Sequence, residues 1–253
     1  MPGDERGRAG RNHWFFLAGL RAEPERQVDL STISHQLRNV LRLKQGNVIT
    51  LLDGSGSAYP TRIEALTARV ATGLVLAKEP VRSEPVIDLT LYQCVLKRER
   101  FEWVLQKGTE LGVSRFVPVI SSRTVVRPAA RLLPKYERWS AIVREAAEQS
   151  RRGRLPVLDD PLHWDLALDQ GEGVRILVWE DAGANSSVSD RGVCEADKVA
   201  LLVGPEGGIN KEEAVSAISQ GWRPLSLGPR VLRAETAALA AVTVVMTMAG
   251  ELG

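Results

Sequence analysis

A chain of 253 residues with a net charge of +2 can bury a sizeable core and carries no strong overall charge of either sign. No apolar run approaches the ~20 residues of a membrane-spanning helix. Cys94 and Cys194 stand alone, without a CxxC pair or a His-rich partner segment, so neither a disulfide framework nor a metal site is expected, and a reducing cytoplasm is.

Residues 1–12 are polar, rich in Gly and Arg, and lack the apolar core of a secretory signal; they read as a disordered tail. From residue 13 to 78 the pattern is mostly β. Residues 14–17 form a short apolar strand, and 48–52 another, closed by the turn Asp53-Gly54-Ser55-Gly56. Residues 59–66 and 69–76 continue the alternation, and strands this short and close predict a small barrel. A helix is expected over 34–43, with Leu37, Val40 and Leu41 on one face.

Residues 78–85 are polar with two prolines and make the best linker, which divides the chain into 13–79 and 80–253. Strands are then expected at 86–96, 116–120, 174–179, 199–203 and 224–227. Helices are expected at 99–111, 134–150, 211–220 and 234–248. The apolar runs at 174–179 and 199–203 suit strands buried on both faces. Alternating β and α predicts an α/β domain with a parallel sheet between helices.

Two loops carry the strongest functional signal: LLVGPEGGIN at 201–210 and LSLGPRVLRAETA at 225–237. Each runs from a strand through Gly-Pro into a helix, where open α/β sheets bind ligands. Either loop alone reads equally well as an ordinary βα turn. Gly204, Gly207 and Gly208 permit close backbone approach to a ligand, and Asn210 with Glu213 has the spacing of a capping box. There is no Walker A or GxGxxG sequence, and no dinucleotide fingerprint after an early strand.

Together with HQLRNVLR at 35–42, QKGTELGV at 106–113 and EAAEQSRR at 145–152, the two loops closely resemble the SPOUT methyltransferases, and among them the bacterial RsmE family, which methylates N3 of a uridine in 16S ribosomal RNA. The resemblance runs from about Trp14 to the last helix. The chain departs from the family's usual pattern at Trp14, Gly108 and Arg151.

The resemblance implies a C-terminal SPOUT domain with a trefoil knot, a PUA-like RNA-binding barrel before it, and a cytoplasmic homodimer acting on 16S rRNA or the small subunit. It implies S-adenosylmethionine bound by Trp179, Glu180, Val203, Gly204, Pro205, Glu206, Gly207, Gly208, Leu227, Gly228, Val231, Leu232, Arg233 and Thr236. Pattern alone, under the usual topological rules, would give an unknotted sheet.

Uracil N3 is a poor nucleophile until it loses its proton, so the chemistry needs a proton acceptor or a cation on the uracil oxygens. Arg233 is the candidate cation, Glu235 its orienting partner, and Glu206 the base or a ligand for the cofactor's polar end. RNA contact is expected from His35, Arg38 and Arg42, spaced i, i+3 and i+7, with Lys44. Two further arginine runs join them: Arg123, Arg127 and Arg131, and then Arg151, Arg152 and Arg154. Two alternatives stay open: a related enzyme methylating a ribose 2′-hydroxyl or another base atom, and a non-catalytic rRNA-binding assembly factor.

Overall fold

A computed structural model describes residues 13–125, 132–183 and 192–253. The expected tail 1–12 and Arg127 and Arg131 lie outside the described residues. The chain divides into two compact units: the segment to Glu84 with Ala147–Arg154, and Pro85–Ala146 with Leu155–Gly253.

The first unit is built on β1 (Trp14–Phe16), β2 (Gln27–Asp29), β3 (Val48–Leu52), β4 (Ser57–Leu66), β5 (Ala71–Val75) and β6 (Glu79–Pro80). They form one sheet in the order β1-β3-β4-β5-β2, with β6 on β4. β1 runs parallel to β3 and the other pairs are antiparallel. Phe15, Leu37, Ile49, Leu51, Tyr59, Ile63 and Val75 share its core. β2 escapes sequence reading because it has three residues and buries only Val28.

The expected helix at 34–43 is not a regular α-helix. Over Gln36–Val40 the turn is widened, and the Leu41 N–H donates to the Gln36 carbonyl at 3.0 Å, an i→i+5 bond. Leu37 is buried, but Val40 is 65% exposed. A wider turn no longer stacks residue i+3 over residue i, so the face expected to join Leu37 and Val40 does not exist.

Residues 147–154, expected within 80–253, belong to the first unit. The Glu84 carboxylate explains why: it accepts from the Gly153 and Arg154 amides at 2.7 and 3.1 Å and pairs with Arg152 Nη2 at 3.1 Å. The Phe16 N–H also donates to Glu148 Oε1 at 2.9 Å. Arg152, expected to meet RNA, is only 3% exposed. Its guanidinium serves a buried ion pair, which removes it from any RNA-facing surface.

The second unit comprises β7 (Asp88–Cys94), α1 (Glu99–Glu110), β8 (Arg115–Ile120), α2 (Tyr136–Gln149), β9 (Val157–Leu158), β10 (Leu162–His163), α3 (Trp164–Gln170), β11 (Val174–Val178), β12 (Lys198–Val203), α4 (Lys211–Ser219), β13 (Arg223–Leu225) and α5 (Ala234–Met248). The final residues of α2 lie in the 147–154 segment of the first unit. The strands form a wholly parallel sheet in the order β10-β8-β7-β12-β11-β13, with β9 on β8.

Alternate residues of each central strand enter different cores. Leu89, Leu91, Leu201, Val203 and Ile176 pack with Phe101, Leu105, Trp139 and Val242. Tyr92, Val117, Leu177, Ala200 and Leu202 pack with Trp164, Leu168, Ala214 and Trp222. Burial on both faces is why these strands read as continuous apolar runs. At Gly108 in α1 an added Cβ would lie 2.8 Å from Phe116 Cε1, so the missing side chain makes room for that ring.

The sheet register positions the site. Gln93 of β7 lies opposite Val203, Val203 opposite Val178, and Val178 opposite Leu225. Four neighbouring strands thus end in one row, and the loops that follow them open on the same edge, where α/β sheets hold ligands.

Candidate functional site

A cavity of about 440 Å³ opens at that edge. Its walls come from Val178 at the end of β11 with Trp179 and Glu180, Val203 at the end of β12 with residues 204–209, residues 226–228 and 230–233 after β13, and Arg100, Ala234 and Ala237 from the helices. Every residue expected to bind the cofactor lines it except Thr236. Glu235 is also absent from the wall. Sequence reading missed Arg100, whose helix carries no glycine motif and no distinctive charge spacing, and did not single out Ser226 and Arg230 within the loop it had marked.

The glycine loop is braced on both sides. Gly208 holds a φ of +70° and Gly228 one of +98°, conformations that favour glycine. A Cβ at Gly204 would sit 2.7 Å from Ile209 Cγ1. Gly204→Ala is therefore expected to lower stability by about 1–3 kcal/mol as Ile209 is displaced; an unchanged urea midpoint would show that Ile209 yields freely.

Beyond the loop, the capping box forms as its spacing predicts. Asn210 Oδ1 accepts from the Glu213 amide at 2.7 Å, and Glu213 Oε2 accepts from the Asn210 amide at 3.3 Å. Arg123, expected to contact RNA, donates from Nη1 to the Gly207 carbonyl at 2.8 Å. In this arrangement Arg123 braces the loop.

Charge in the pocket centres on Arg100. Glu206 Oε1 accepts from the Lys97 amide at 2.8 Å and lies 3.7 Å from Arg100 Nη1. Arg100 Nε lies 3.6 Å from Glu235 Oε1. One guanidinium thus bridges two carboxylates. The other oxygens, Glu206 Oε2 and Glu235 Oε2, are buried without a hydrogen-bond partner, as is Trp179 Nε1.

Glu235 therefore pairs with Arg100 and not with Arg233, contrary to the expected orienting role. The reason is spacing: Arg233 is the extended residue before α5 (φ −65°, ψ 149°) and Glu235 lies in its first turn. Side chains two apart at a helix start do not face one another. Arg233 is exposed, lines the cavity, and makes no ion pair or side-chain hydrogen bond among the described residues.

Cys94 ends β7, but burial pushes its thiol up to about 12, so it supplies no thiolate at neutral pH. No group of three or more His, Cys, Asp or Glu among the described residues could hold a metal ion. No helix among them is long and apolar enough to cross a membrane. In the first unit His35, Arg42 and Lys44 are exposed and Arg38 is half-buried.

Residues 82–246 match the family model of an RNA methyltransferase domain. The ribosomal RNA small subunit methyltransferase E of Synechocystis is 34% identical over 84% of this chain and 70% of its own. That of Bacillus subtilis is 28% identical over 83% of this chain and 86% of its own. The crystal structure of ribosomal RNA small subunit methyltransferase E from Neisseria gonorrhoeae, bound to S-adenosyl methionine, superposes with a TM-score of 0.83 at 33% identity. It covers 93% of this chain and 97% of its own.

Proposed function

We propose a function from one premise: the chain belongs to the family of ribosomal RNA small subunit methyltransferase E. It transfers a methyl group from S-adenosylmethionine to N3 of a specific uridine in 16S ribosomal RNA. The observation that carries this reading is the cavity at the strand ends, whose walls combine glycine-rich backbone with two buried, unpartnered polar atoms, Glu206 Oε2 and Trp179 Nε1.

Those features fit the cofactor. Val178, Leu227, Leu232 and Ala237 offer apolar cover for a flat base, and Gly204, Gly207 and Gly208 let main-chain groups approach closely. Trp179 Nε1, buried in the wall without a partner, suits a hydrogen-bond acceptor on the ligand. When bound, the cofactor supplies an electrophilic methyl group on a sulfonium.

The chain's own residues prepare the nucleophile. Glu206 lines the cavity, and its Oε2 is the acceptor for the uracil N3 proton. Glu235 sits behind the wall and holds Arg100. Arg233, uncommitted at the cavity, stabilises the uracil anion through its carbonyl oxygens. The base must be unpaired or flipped out to reach them.

In this reading the loops after β11, β12 and β13 belong to a trefoil knot, and the first unit is a PUA-like RNA-binding domain presenting His35, Arg38, Arg42 and Lys44. The protein works as a homodimer in the cytoplasm, on free 16S rRNA or the small subunit. The close family relationship across both units supports these points.

Mass-spectrometric mapping of 16S rRNA from cells with and without the protein tests the reading. One N3-methyluridine should vanish with the gene and return on adding purified protein and S-adenosylmethionine. An unchanged N3-methyluridine signal overturns it. Absence of calorimetric heat on titrating S-adenosylmethionine would instead favour a binding module.

A further inference from the structure

Four non-glycine residues among the described ones hold a positive φ, and three of them are arginines: Arg42, Arg98 and Arg151. Arg98 is the most demanding. Its φ of 54° and ψ of −134° lie far from the left-handed helical well, close to the mirror image of the extended region. Glycine adopts that conformation freely and a residue with a Cβ does not. Strain of this kind gathers at functional sites.

Arg98 sits where such a function would act. The amide of its neighbour Lys97 donates to Glu206 in the cavity wall, and Arg100, two residues on, lines the cavity. Arg230 lines the same cavity from the loop after β13. The side chains of Lys97, Arg98 and Arg230 are exposed and make no ion pair or hydrogen bond among the described residues. Other basic residues differ: Arg100, Arg123 and Arg152 are all committed to partners within the protein. With Arg233, the free cations outnumber the exposed acids Glu99 and Glu180 beside them.

We propose that Lys97, Arg98 and Arg230 form a basic rim to the cavity that grips the phosphate backbone of the RNA strand beside the target nucleotide, with Arg98 held in a strained conformation for that contact. The proposal rests on the methyltransferase reading and adds to it a substrate-binding surface in the second unit. A planar guanidinium suits bidentate contact with phosphate, which explains arginine where the backbone would favour glycine.

Two substitutions separate charge from strain. Arg98→Ala removes the guanidinium but keeps a Cβ, whereas Arg98→Gly removes both. Each is expected to weaken binding of a 16S rRNA transcript about tenfold and to flatten the salt dependence of affinity by roughly one counterion. The KM for RNA should rise about tenfold, with kcat and S-adenosylmethionine affinity unchanged. Only the glycine variant should gain thermal stability, by roughly 2–4 °C in Tm. Arg98→Lys should recover most of the affinity, since a point charge still meets phosphate. Wild-type affinity and salt slope in both the alanine and glycine variants would overturn the rim. A wild-type protein that methylates no RNA would bring down the methyltransferase reading and the rim with it, while an active wild type whose alanine and glycine variants keep its KM for RNA brings down the rim alone.

Discussion

Replacing Arg233 with alanine is expected to lower methyl transfer to 16S rRNA by about 10²–10³-fold, while S-adenosylmethionine affinity changes by less than about threefold. The magnitude follows from what the residue does. Uracil develops negative charge on its carbonyl oxygens as N3 loses its proton, and a cation beside those oxygens stabilises that charge as it forms. Arg233 lines the cavity at the start of α5 with no ion pair among the described residues, whereas Arg100 is committed to Glu206 and Glu235. Arg233→Lys should retain part of the rate, because an ammonium supplies the charge without the planar fork. Single-turnover methylation alongside calorimetric titration of the cofactor separates the outcomes. A wild-type rate in the alanine variant removes Arg233 from the chemistry, and a parallel loss of cofactor binding moves it into the cofactor site.

The sequence showed most of the second unit because its elements have one dominant physical cause. Strands such as β11 and β12 are buried on both faces and stand out as apolar runs. The turn into α4 was legible through Asn210 and Glu213, since a capping box is a local device. The α3 helix went unread, although Trp164, Ala167 and Leu168 keep helical spacing; it is seven residues long and only these are buried. The β2 strand left even less, a single buried valine.

Within the site, the cavity walls were legible because glycines mark backbone that must approach something. The electrostatic pairings were not. They depend on which side chains the fold brings together across long sequence separations, as with Arg100 and Glu235 or Arg123 and Gly207. Clusters of arginine look alike in sequence whether they face solvent or serve a buried carboxylate. Residues 151–154 illustrate the point: Arg152 is turned inward by Glu84, almost seventy positions away along the chain.

That pairing supports the other large expected effect. Glu84→Ala should destabilise the first unit by about 3–5 kcal/mol, because it removes a carboxylate that pairs with a buried guanidinium. The side chains of Arg152 and Glu84 are only 4% and 16% exposed, so solvent screens the pair poorly. The same substitution strips the Gly153 and Arg154 amides of their acceptor. Removing both charges together, as Glu84→Ala with Arg152→Met, should recover a substantial part of the loss, since replacing a buried pair by apolar groups costs far less than breaking it. Urea denaturation read by tryptophan fluorescence and far-UV circular dichroism compares the wild type with both variants and with Arg152→Met alone. The series also distinguishes a structural arginine from an RNA contact. If Arg152 serves the fold, Arg152→Met held at a temperature where it stays folded binds 16S rRNA with the wild-type salt slope. A slope flattened by roughly one counterion in that variant, with stability unchanged, would return Arg152 to the RNA surface.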